Sequence, residues 1–239
     1  MAEYKRSAAV VLAGGQGRRM HSEVQKQYMD LLGRPLLYYA LKAFEESPVD
    51  DIVVVVGAGE IPYCEENLIQ PYSFHKVKKV VEGGRERYHS VYQGLLALTP
   101  CDYVLIHDGA RPLIDSHIIS RTLEAVKQFS SCAAGVPVKD TIKVADQEGF
   151  AEMTPDRSKL WAVQTPQAFS YSLVLSAYKK LFEKEEYQKG ITDDAMVVEQ
   201  MSGERVKLIE GSYENIKVTT PEDLVVAECF LKKRGFRKL

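Results

Sequence analysis

The sequence predicts an α/β fold in which a mostly parallel sheet is flanked by helices and one β-hairpin projects from it. Short β-branched runs alternate along the chain with helical patterns, and such alternation is typical of parallel sheets. The runs are continuously apolar, which indicates strands that are covered on both faces. One segment breaks the alternation, and we expect it to form the projecting hairpin.

The strands are predicted from short apolar runs. The predicted strands are Ala8–Leu12, Ile52–Val56, Val77–Val81, Tyr103–His107, Ala133–Val138 and Val206–Ile209. Helical patterns lie between them. The predicted helices are one opened by Pro35, then Ser90–Leu98, Ser116–Phe129, Tyr171–Phe182 and one opened by Thr220 and Pro221. In the last helix, Thr220 is a suitable cap, and Glu222 and Asp223 suit the positive end of the helix dipole.

The segment that breaks the alternation has the pattern of a hairpin. Thr141–Ala145 and Phe150–Met153 are strand-like and flank a Gln147-Glu148-Gly149 turn, which is a hairpin signal. We therefore expect an arm at about 139–160 within a single domain of residues 1–239. We expect the arm to form a dimer contact, and an exposed hairpin without a partner is the alternative.

Composition excludes several classes of protein. The chain has 239 residues, of which 45% are hydrophobic, and its formal net charge is −2. This is enough for one sizeable core, and it does not suggest a basic nucleic-acid-binding surface. The four cysteines are widely separated, without zinc-site spacing, so we expect buried or incidental thiols. The apolar run at 8–13 is too short for a signal peptide or membrane helix, which favours a cytoplasmic protein that does not bind membranes.

A glycine-rich turn follows the first strand and is the strongest local signal. Its sequence is Leu12-Ala13-Gly14-Gly15-Gln16-Gly17-Arg18-Arg19-Met20, with Lys26 a few residues on. Glycines at the carboxyl end of a strand let backbone N–H groups cradle a phosphate. A P-loop ending and the third glycine of a dinucleotide fingerprint are both missing, which disfavours those motifs. A purely structural turn is the alternative.

The turn resembles the signature of nucleotidyltransferases that act on sugar phosphates, and later segments resemble the methylerythritol-phosphate cytidylyltransferase family. The matching segments are Gly83–Arg87 with Ser90, Ile106–Pro112, Val136–Lys143, Trp161–Gln167, Thr192–Ala195 and Asn215–Thr219. Two positions depart from the family pattern. Leu12-Ala13-Gly14-Gly15 stands where Pro-Ala-Ala-Gly is common, and Arg85 stands where aspartate is frequent.

The resemblance implies a Rossmann-like α/β fold and transfer of CMP from CTP to a sugar-alcohol phosphate. The phosphate of the acceptor attacks the α-phosphorus directly, so positive charge and positioning should dominate catalysis. Arg19, Lys26 and Lys217 are the predicted catalytic cations. Asp108 follows a predicted strand and is a candidate contact for Mg²⁺, ribose or acceptor hydroxyls, although the Mg²⁺ would be held mainly by the phosphates of CTP. His107 is expected to be a packed strand residue.

The same resemblance assigns the binding residues. Predicted nucleotide contacts are Ala13, Gly14, Gly15, Gly17, Gly84, Arg85, Ser90, Asp108 and Gly109. Predicted acceptor contacts are Asp108, Arg111, Thr141, Arg157, Thr165 and Thr192. Thr141 and Arg157 lie on the predicted arm, which in the family reaches the site of the neighbouring subunit, so the resemblance implies a homodimer.

Other functions remain open at this point. Ribitol-5-phosphate cytidylyltransferases share the fold and the nucleotide, but usually carry serine and valine where Gly109 and Ala110 stand. Sugar-1-phosphate uridylyl- or thymidylyltransferases would share only the first turn. A non-catalytic nucleotide-binding module is expected to have lost Lys26 or Lys217, and both are present.

Overall fold

The computed structural model describes residues 4–15, 20 and 25–238, and a seven-stranded sheet is its centre. From one edge to the other, the strands are β11 (Lys207–Glu210), β7 (Ser131–Pro137), β10 (Trp161–Ser170), β6 (Tyr103–Asp108), β1 (Ser7–Leu12), β4 (Asp51–Val56) and β5 (Val77–Glu82). Strand β10 is antiparallel to both of its neighbours, and the other pairings are parallel. The predicted mostly parallel α/β fold is confirmed, and all six predicted strands are present to within two residues at each end.

Strand β10 is absent from the sequence prediction. It contains Gln164, Pro166 and Gln167, so no continuous apolar run marks it. Its register with β7 shifts between Val163 and Gln167, which places the polar residues at an irregularity in the pairing. Because proline is confined to edges and irregularities of sheets, Pro166 disfavours a strand when only the local sequence is considered. Pairing with the neighbouring strands nevertheless forms one.

Seven α-helices connect and cover the strands in the described part of the chain. They are α1 (Leu36–Glu45), α2 (Ile61–Cys64), α3 (Arg87–Ala97), α4 (Ser116–Phe129), α5 (Tyr171–Leu181), α6 (Asp194–Ser202) and α7 (Pro221–Lys233). Helix α4 has the predicted bounds, and a capping box of Thr220 and Asp223 opens α7. Pro35 lies just before α1 rather than inside it.

One predicted helix start was wrong, and the sequence did not predict α2 or α6. Helix α3 begins at Arg87, three residues before the predicted start at Ser90, because a capping box of Glu86 and His89 satisfies its first N–H groups. Helix α6 was not predicted as a helix. Its N-cap is Asp193, whose carboxylate accepts a hydrogen bond from the Met196 N–H.

The core lies on both faces of the sheet. Along β1, Ala9 and Val11 face a cluster that includes α1 and α4, whereas Ala8 and Val10 face a cluster that includes α3 and α5. All four residues are nearly or fully buried. This two-sided burial explains why the strand is apolar at successive positions. A third cluster packs α7 against α1 through Ala227 and Leu231.

The predicted hairpin is present. Strands β8 (Val144–Ala145) and β9 (Ala151–Met153) pair antiparallel, and Gly149 has a φ of +88° in the turn, a conformation that favours glycine. Every residue from 139 to 154 is exposed. A second, smaller hairpin of β2 (Asp30–Leu31) and β3 (Arg34–Pro35) precedes α1.

Two further expectations concern cysteines and membrane helices. All four cysteines are free; Cys64 and Cys132 are buried, Cys101 is half-buried and Cys229 is exposed. Within the described ranges, none of the helices combines the length and the apolar character that crossing a bilayer requires.

Candidate active site at the carboxyl edge of the sheet

Two cavities lie side by side at the edge where β1, β4 and β6 end. The larger cavity has a volume of about 1130 Å³ and the smaller one about 300 Å³. Arg87, Asp108 and Lys217 line both. Ligands of open α/β sheets bind at this edge, and the two volumes suit a nucleotide-sized molecule and a smaller one. The three shared residues therefore form the junction between two binding spaces.

Glycine turns form one wall of the larger cavity. A Cβ on Gly14 would lie 3.1 Å from the carbonyl oxygen of Val56, so the turn after β1 packs closely on the end of β4. The Gly83 N–H donates to the same carbonyl at 2.8 Å. The Gly84 N–H donates to the Ser90 hydroxyl at 3.1 Å. Ser90 therefore helps to hold the glycine turn in addition to lining the cavity.

Asp108 is the centre of the charged junction. The Lys217 ammonium donates to its Oδ2 at 2.8 Å, and the Arg87 Nε–H donates to its Oδ1 at 3.2 Å. Burial alone would raise the pKa of Asp108, but the positive charges of Arg87, Lys217 and Arg111 hold it well below its usual range. Asp108 is therefore a carboxylate at all physiological pH values, and it aligns two cations beside one another.

Lys217 reaches this junction from a distant part of the chain. It lies in the segment between β11 and α7, and the neighbouring Val218 N–H donates to the Ala110 carbonyl at 2.8 Å. This contact fixes the segment beside the loop that follows β6. The Lys217 side chain is 40% exposed, so its ammonium remains accessible from the cavities.

Arg87 has a second and stronger anchor that the sequence prediction missed. Its Nη1 and Nη2 donate to the two carboxylate oxygens of Asp194 at 2.8 and 2.7 Å. The Asp194 side chain is fully buried, and it also accepts a hydrogen bond from the Tyr178 hydroxyl at 2.6 Å. Arg87 opens α3 and Asp194 opens α6, so the fork joins two helix starts beside the cavities.

A buried polar chain supports the loop after β6. The Asp108 N–H donates to the Thr165 hydroxyl at 3.0 Å, and that hydroxyl contacts His107 Nδ1 at 3.1 Å. His107 Nε2 lies 3.3 Å from the carbonyl oxygen of Arg111. Burial lowers the pKa of His107 to about 4, which keeps the imidazole neutral at pH 7. A neutral ring with its proton on Nε2 satisfies both contacts, because the carbonyl can only accept.

Arg111 faces the smaller cavity from the same loop. Its Nη1 donates to the Asn215 carbonyl at 2.8 Å, and the Asn215 amide donates to the Thr165 carbonyl at 2.9 Å. Burial lowers the pKa of Arg111 despite the nearby Asp108 carboxylate, but a guanidinium stays protonated. The smaller cavity is therefore lined by three cations together with threonine hydroxyls and amide groups.

Lys26 lines the larger cavity from a short 3₁₀ helix, Lys26–Tyr28. The adjacent Gln27 is buried, and its amide donates to Gln25 at 2.7 Å and to the Glu60 carboxylate at 2.9 Å. Glu60 belongs to the turn after β4 and lines the same cavity. The hydrogen bond to Glu60 fixes the segment of Lys26 to the end of β4.

The structure brings together most of the predicted site residues. Those that line the larger cavity are Ala13, Gly14, Gly15, Lys26, Gly84, Arg85, Ser90, Asp108 and Lys217. Those that line the smaller cavity are Arg111, Thr165 and Thr192, again with Asp108 and Lys217. Gly17 and Arg19 lie outside the described residues.

Three predicted residues do not line either cavity. A Cβ on Gly109 would lie 2.6 Å from Leu37 and 2.9 Å from the Leu12 carbonyl, so close packing accounts for this glycine. Thr141 is exposed on the arm. The Arg157 guanidinium donates to the Lys139 carbonyl at 2.8 Å, which ties the base of the arm together.

The geometry can hold a triphosphate and a second anion. In the described part of the chain, no group of three or more histidine, cysteine, aspartate or glutamate side chains could hold a metal ion by itself. The junction instead presents cations around one carboxylate. Glycine turns at the end of a parallel sheet, with cations between a nucleotide-sized space and a smaller one, define the class of nucleotidyltransferases.

Comparison with known proteins gives the family. The family model of 2-C-methyl-D-erythritol 4-phosphate cytidylyltransferase (IspD) matches residues 7–233. The enzyme of that name from Lachnoclostridium phytofermentans is 52% identical over 94% of this chain and 96% of that protein. The one from Caldanaerobacter subterraneus is 47% identical, over 95% and 99%. This chain belongs to the 2-C-methyl-D-erythritol 4-phosphate cytidylyltransferase family, which confirms the resemblance found in its motifs.

Solved structures agree with this assignment. The 4-diphosphocytidyl-2C-methyl-D-erythritol synthase of Anaerococcus prevotii has a TM-score of 0.82 and 30% identity, covering 95% of this chain and 96% of that one. The 2-C-methyl-D-erythritol 4-phosphate cytidylyltransferase of Thermus thermophilus has a TM-score of 0.76 and 30% identity, with coverage of 93% and 98%.

Proposed function

We propose that this chain transfers CMP from CTP to 2-C-methyl-D-erythritol 4-phosphate and releases pyrophosphate, a step of isoprenoid synthesis. The family and the names of its relatives support this activity. One observation supports it most directly: two cavities of different size meet at a junction formed by Arg87, Asp108 and Lys217. A transfer between two phosphates requires such adjacency.

The larger cavity is proposed to bind CTP. Its glycine turns at 13–15 and 83–84 offer backbone groups for the edges of cytosine, and Arg85 and Ser90 lie beside them. Gly17 of the glycine-rich sequence is also proposed to contact the nucleotide, as is Gly109, which follows Asp108 in the chain. Backbone N–H groups at the end of a strand also suit phosphate oxygens.

The smaller cavity is proposed to bind the acceptor. Arg111 would hold its phosphate, because a guanidinium binds phosphate oxygens in a fixed fork. Thr165 and Thr192 line the same space and are proposed to contact the acceptor. Thr165 already bonds Asp108 and His107 through its hydroxyl, so its main contribution is to shape the wall.

The proposed chemistry is direct attack. An oxygen of the acceptor phosphate forms a bond to the α-phosphorus of CTP while the bond to pyrophosphate breaks, and no proton must be removed by the protein. Negative charge on the α-phosphate is then stabilised by Arg19, Lys26 and Lys217. Lys217 is held beside Asp108 but keeps two further N–H donors, so it can face the reacting phosphate.

Magnesium is the proposed cofactor. Mg²⁺ prefers phosphate oxygens and needs only one or two carboxylates from a protein, and this fits a junction whose carboxylate is Asp108. When bound, the ion would neutralise the triphosphate and make the α-phosphorus more electrophilic. Asp108 would hold it weakly, since both of its oxygens already accept from cations.

A homodimer formed through the arm at about 139–160 of this single domain is also proposed. Ile142, Val144, Phe150 and Met153 are apolar and between 37% and 68% exposed, which is unusual for so short a segment. Thr141 and Arg157 line neither cavity of their own chain and would contact the acceptor in the site of the partner.

A parallel assay with two acceptors tests the proposed function. Purified protein with CTP and Mg²⁺ is expected to release pyrophosphate with 2-C-methyl-D-erythritol 4-phosphate and much more slowly with ribitol 5-phosphate. Preference for ribitol 5-phosphate would overturn the acceptor assignment. UTP in place of CTP serves as the control for the nucleotide.

A further inference from the structure

Arg87 donates hydrogen bonds to two carboxylates, Asp194 and Asp108, beside the two cavities. Two of its N–H groups form the fork with Asp194, and the Nε–H bonds Asp108. Bidentate guanidinium–carboxylate pairs fix orientation as well as distance. The guanidinium plane is therefore set by Asp194, and the direction of its third donor toward Asp108 is set with it.

The anchor is built for rigidity. The Asp194 carboxylate is fully buried, and both of its oxygens are used by Arg87, with Tyr178 adding a further hydrogen bond. Tyr178 is itself fully buried in the core between α3, α5 and the sheet. The chain of contacts thus runs from the hydrophobic core to the carboxylate at the junction.

The pair also joins the two binding spaces. Arg87 follows the Gly83–Glu86 turn, which lines the larger cavity, and Asp194 follows Thr192 and Asp193, which line the smaller one. A shift of α6 relative to α3 would move one wall against the other. Arg87, the first residue of α3, donates hydrogen bonds to Asp194, the first residue of α6, and also to Asp108 at the junction.

We propose that Arg87 is a positioning residue for the transfer: anchored by Asp194, it orients Asp108 and sets the acceptor space in register with the nucleotide space. This inference rests on the proposed function, since it assumes that both spaces are occupied during one reaction. Small displacements of reacting groups reduce rates steeply, so loss of the fork should affect turnover and acceptor binding more than CTP binding.

Arg87→Lys is the first test, because it keeps the positive charge beside buried Asp194 but replaces the planar fork of three nitrogens with a single ammonium. We expect kcat to fall by at least about tenfold and the acceptor KM to rise, with the CTP KM changed by less than about threefold. Arg6→Lys is the matched control, since Arg6 pairs with Asp51 at the amino ends of β1 and β4, away from the cavities. Kinetics of Arg87→Lys equal to wild type would overturn the proposal.

A double variant separates positioning from stability. Arg87→Met combined with Asp194→Leu removes both charges together, and such replacements of buried pairs are often neutral for stability. We expect the Tm to recover toward wild type relative to Asp194→Leu alone, while kcat stays at least about tenfold low. Recovery of kcat would show a purely structural pair and contradict the proposal. Wild-type protein that lacks turnover in the same assay would instead contradict the proposed function itself.

Discussion

Acidification should destabilise this protein through His107, and the size of the effect follows from its burial. The imidazole is buried at the end of β6, and its pKa is lowered from 6.5 to about 4. As the pH falls, the unfolded chain therefore binds this proton before the folded chain does. The stabilisation is fully present above pH 6.5 and is lost as the pH falls from 6.5 toward 4.

The loss of stability at low pH follows from the difference between the two pKa values of His107. A difference of about 2.5 pH units corresponds to a total of about 3 kcal/mol, reached below pH 4. At pH 5 the loss from His107 is about 2 kcal/mol relative to pH 7.5. For a chain of this length, that loss lowers the Tm by about 4–8 °C.

The assay is thermal unfolding between pH 7.5 and pH 5 for wild type and for His107→Gln. Glutamine keeps one donor and one acceptor for Arg111 and Thr165 but does not titrate. We expect the variant to lose about 2 kcal/mol less than wild type over this range. His117→Gln, on the exposed face of α4, is the control. Parallel pH dependences of wild type and His107→Gln would refute the assignment of this term to the buried imidazole.

Three further variants test the site. Asp108→Asn leaves neighbouring cations without their carboxylate, so both Tm and kcat/KM should fall, the latter by more than about tenfold; an unchanged kcat/KM would exclude a role for this charge. Gln27→Leu frees the Lys26 segment from Glu60 and should lower kcat by about tenfold, for a lost hydrogen bond of about 1.5 kcal/mol to a charged group; an unaltered kcat would exclude this anchor. Gly109→Ala forces contact with backbone and should lower the Tm by several degrees, as measured by calorimetry; a wild-type Tm would contradict the packing role.

Much of the fold could be predicted because burial on both faces leaves a simple pattern in β1, β4 and β6. Strand β10 could not, because its pairing is decided by neighbours far along the chain rather than by its own residues. Its polar Gln164 and Gln167 bond Ser212 and Asp193 instead of facing solvent, and no local pattern indicates such partners.

The site shows the same division. Asp108 and Lys217 were both predicted as site residues. Although 109 positions separate them in the sequence, the Lys217 Nζ lies 2.8 Å from the Asp108 Oδ2. Arg87 and Asp194 both lie in segments that match the family, but a charged residue in a single sequence usually indicates an exposed side chain. Only the folded chain, which brings the starts of α3 and α6 together, shows that these two residues pair. Arg19 and Gly17 lie outside the described residues, and their roles stay predictions.

The stereochemical course at the α-phosphorus distinguishes direct transfer between the two substrates from transfer through the protein. CTP and the acceptor are proposed to occupy adjoining cavities, so that the acceptor phosphate attacks the α-phosphorus in a single step. CTP made chiral at that phosphorus with sulfur should therefore give product with inverted configuration. Retention would indicate two displacements through a protein nucleophile, and it would contradict direct transfer across the junction of Arg87, Asp108 and Lys217.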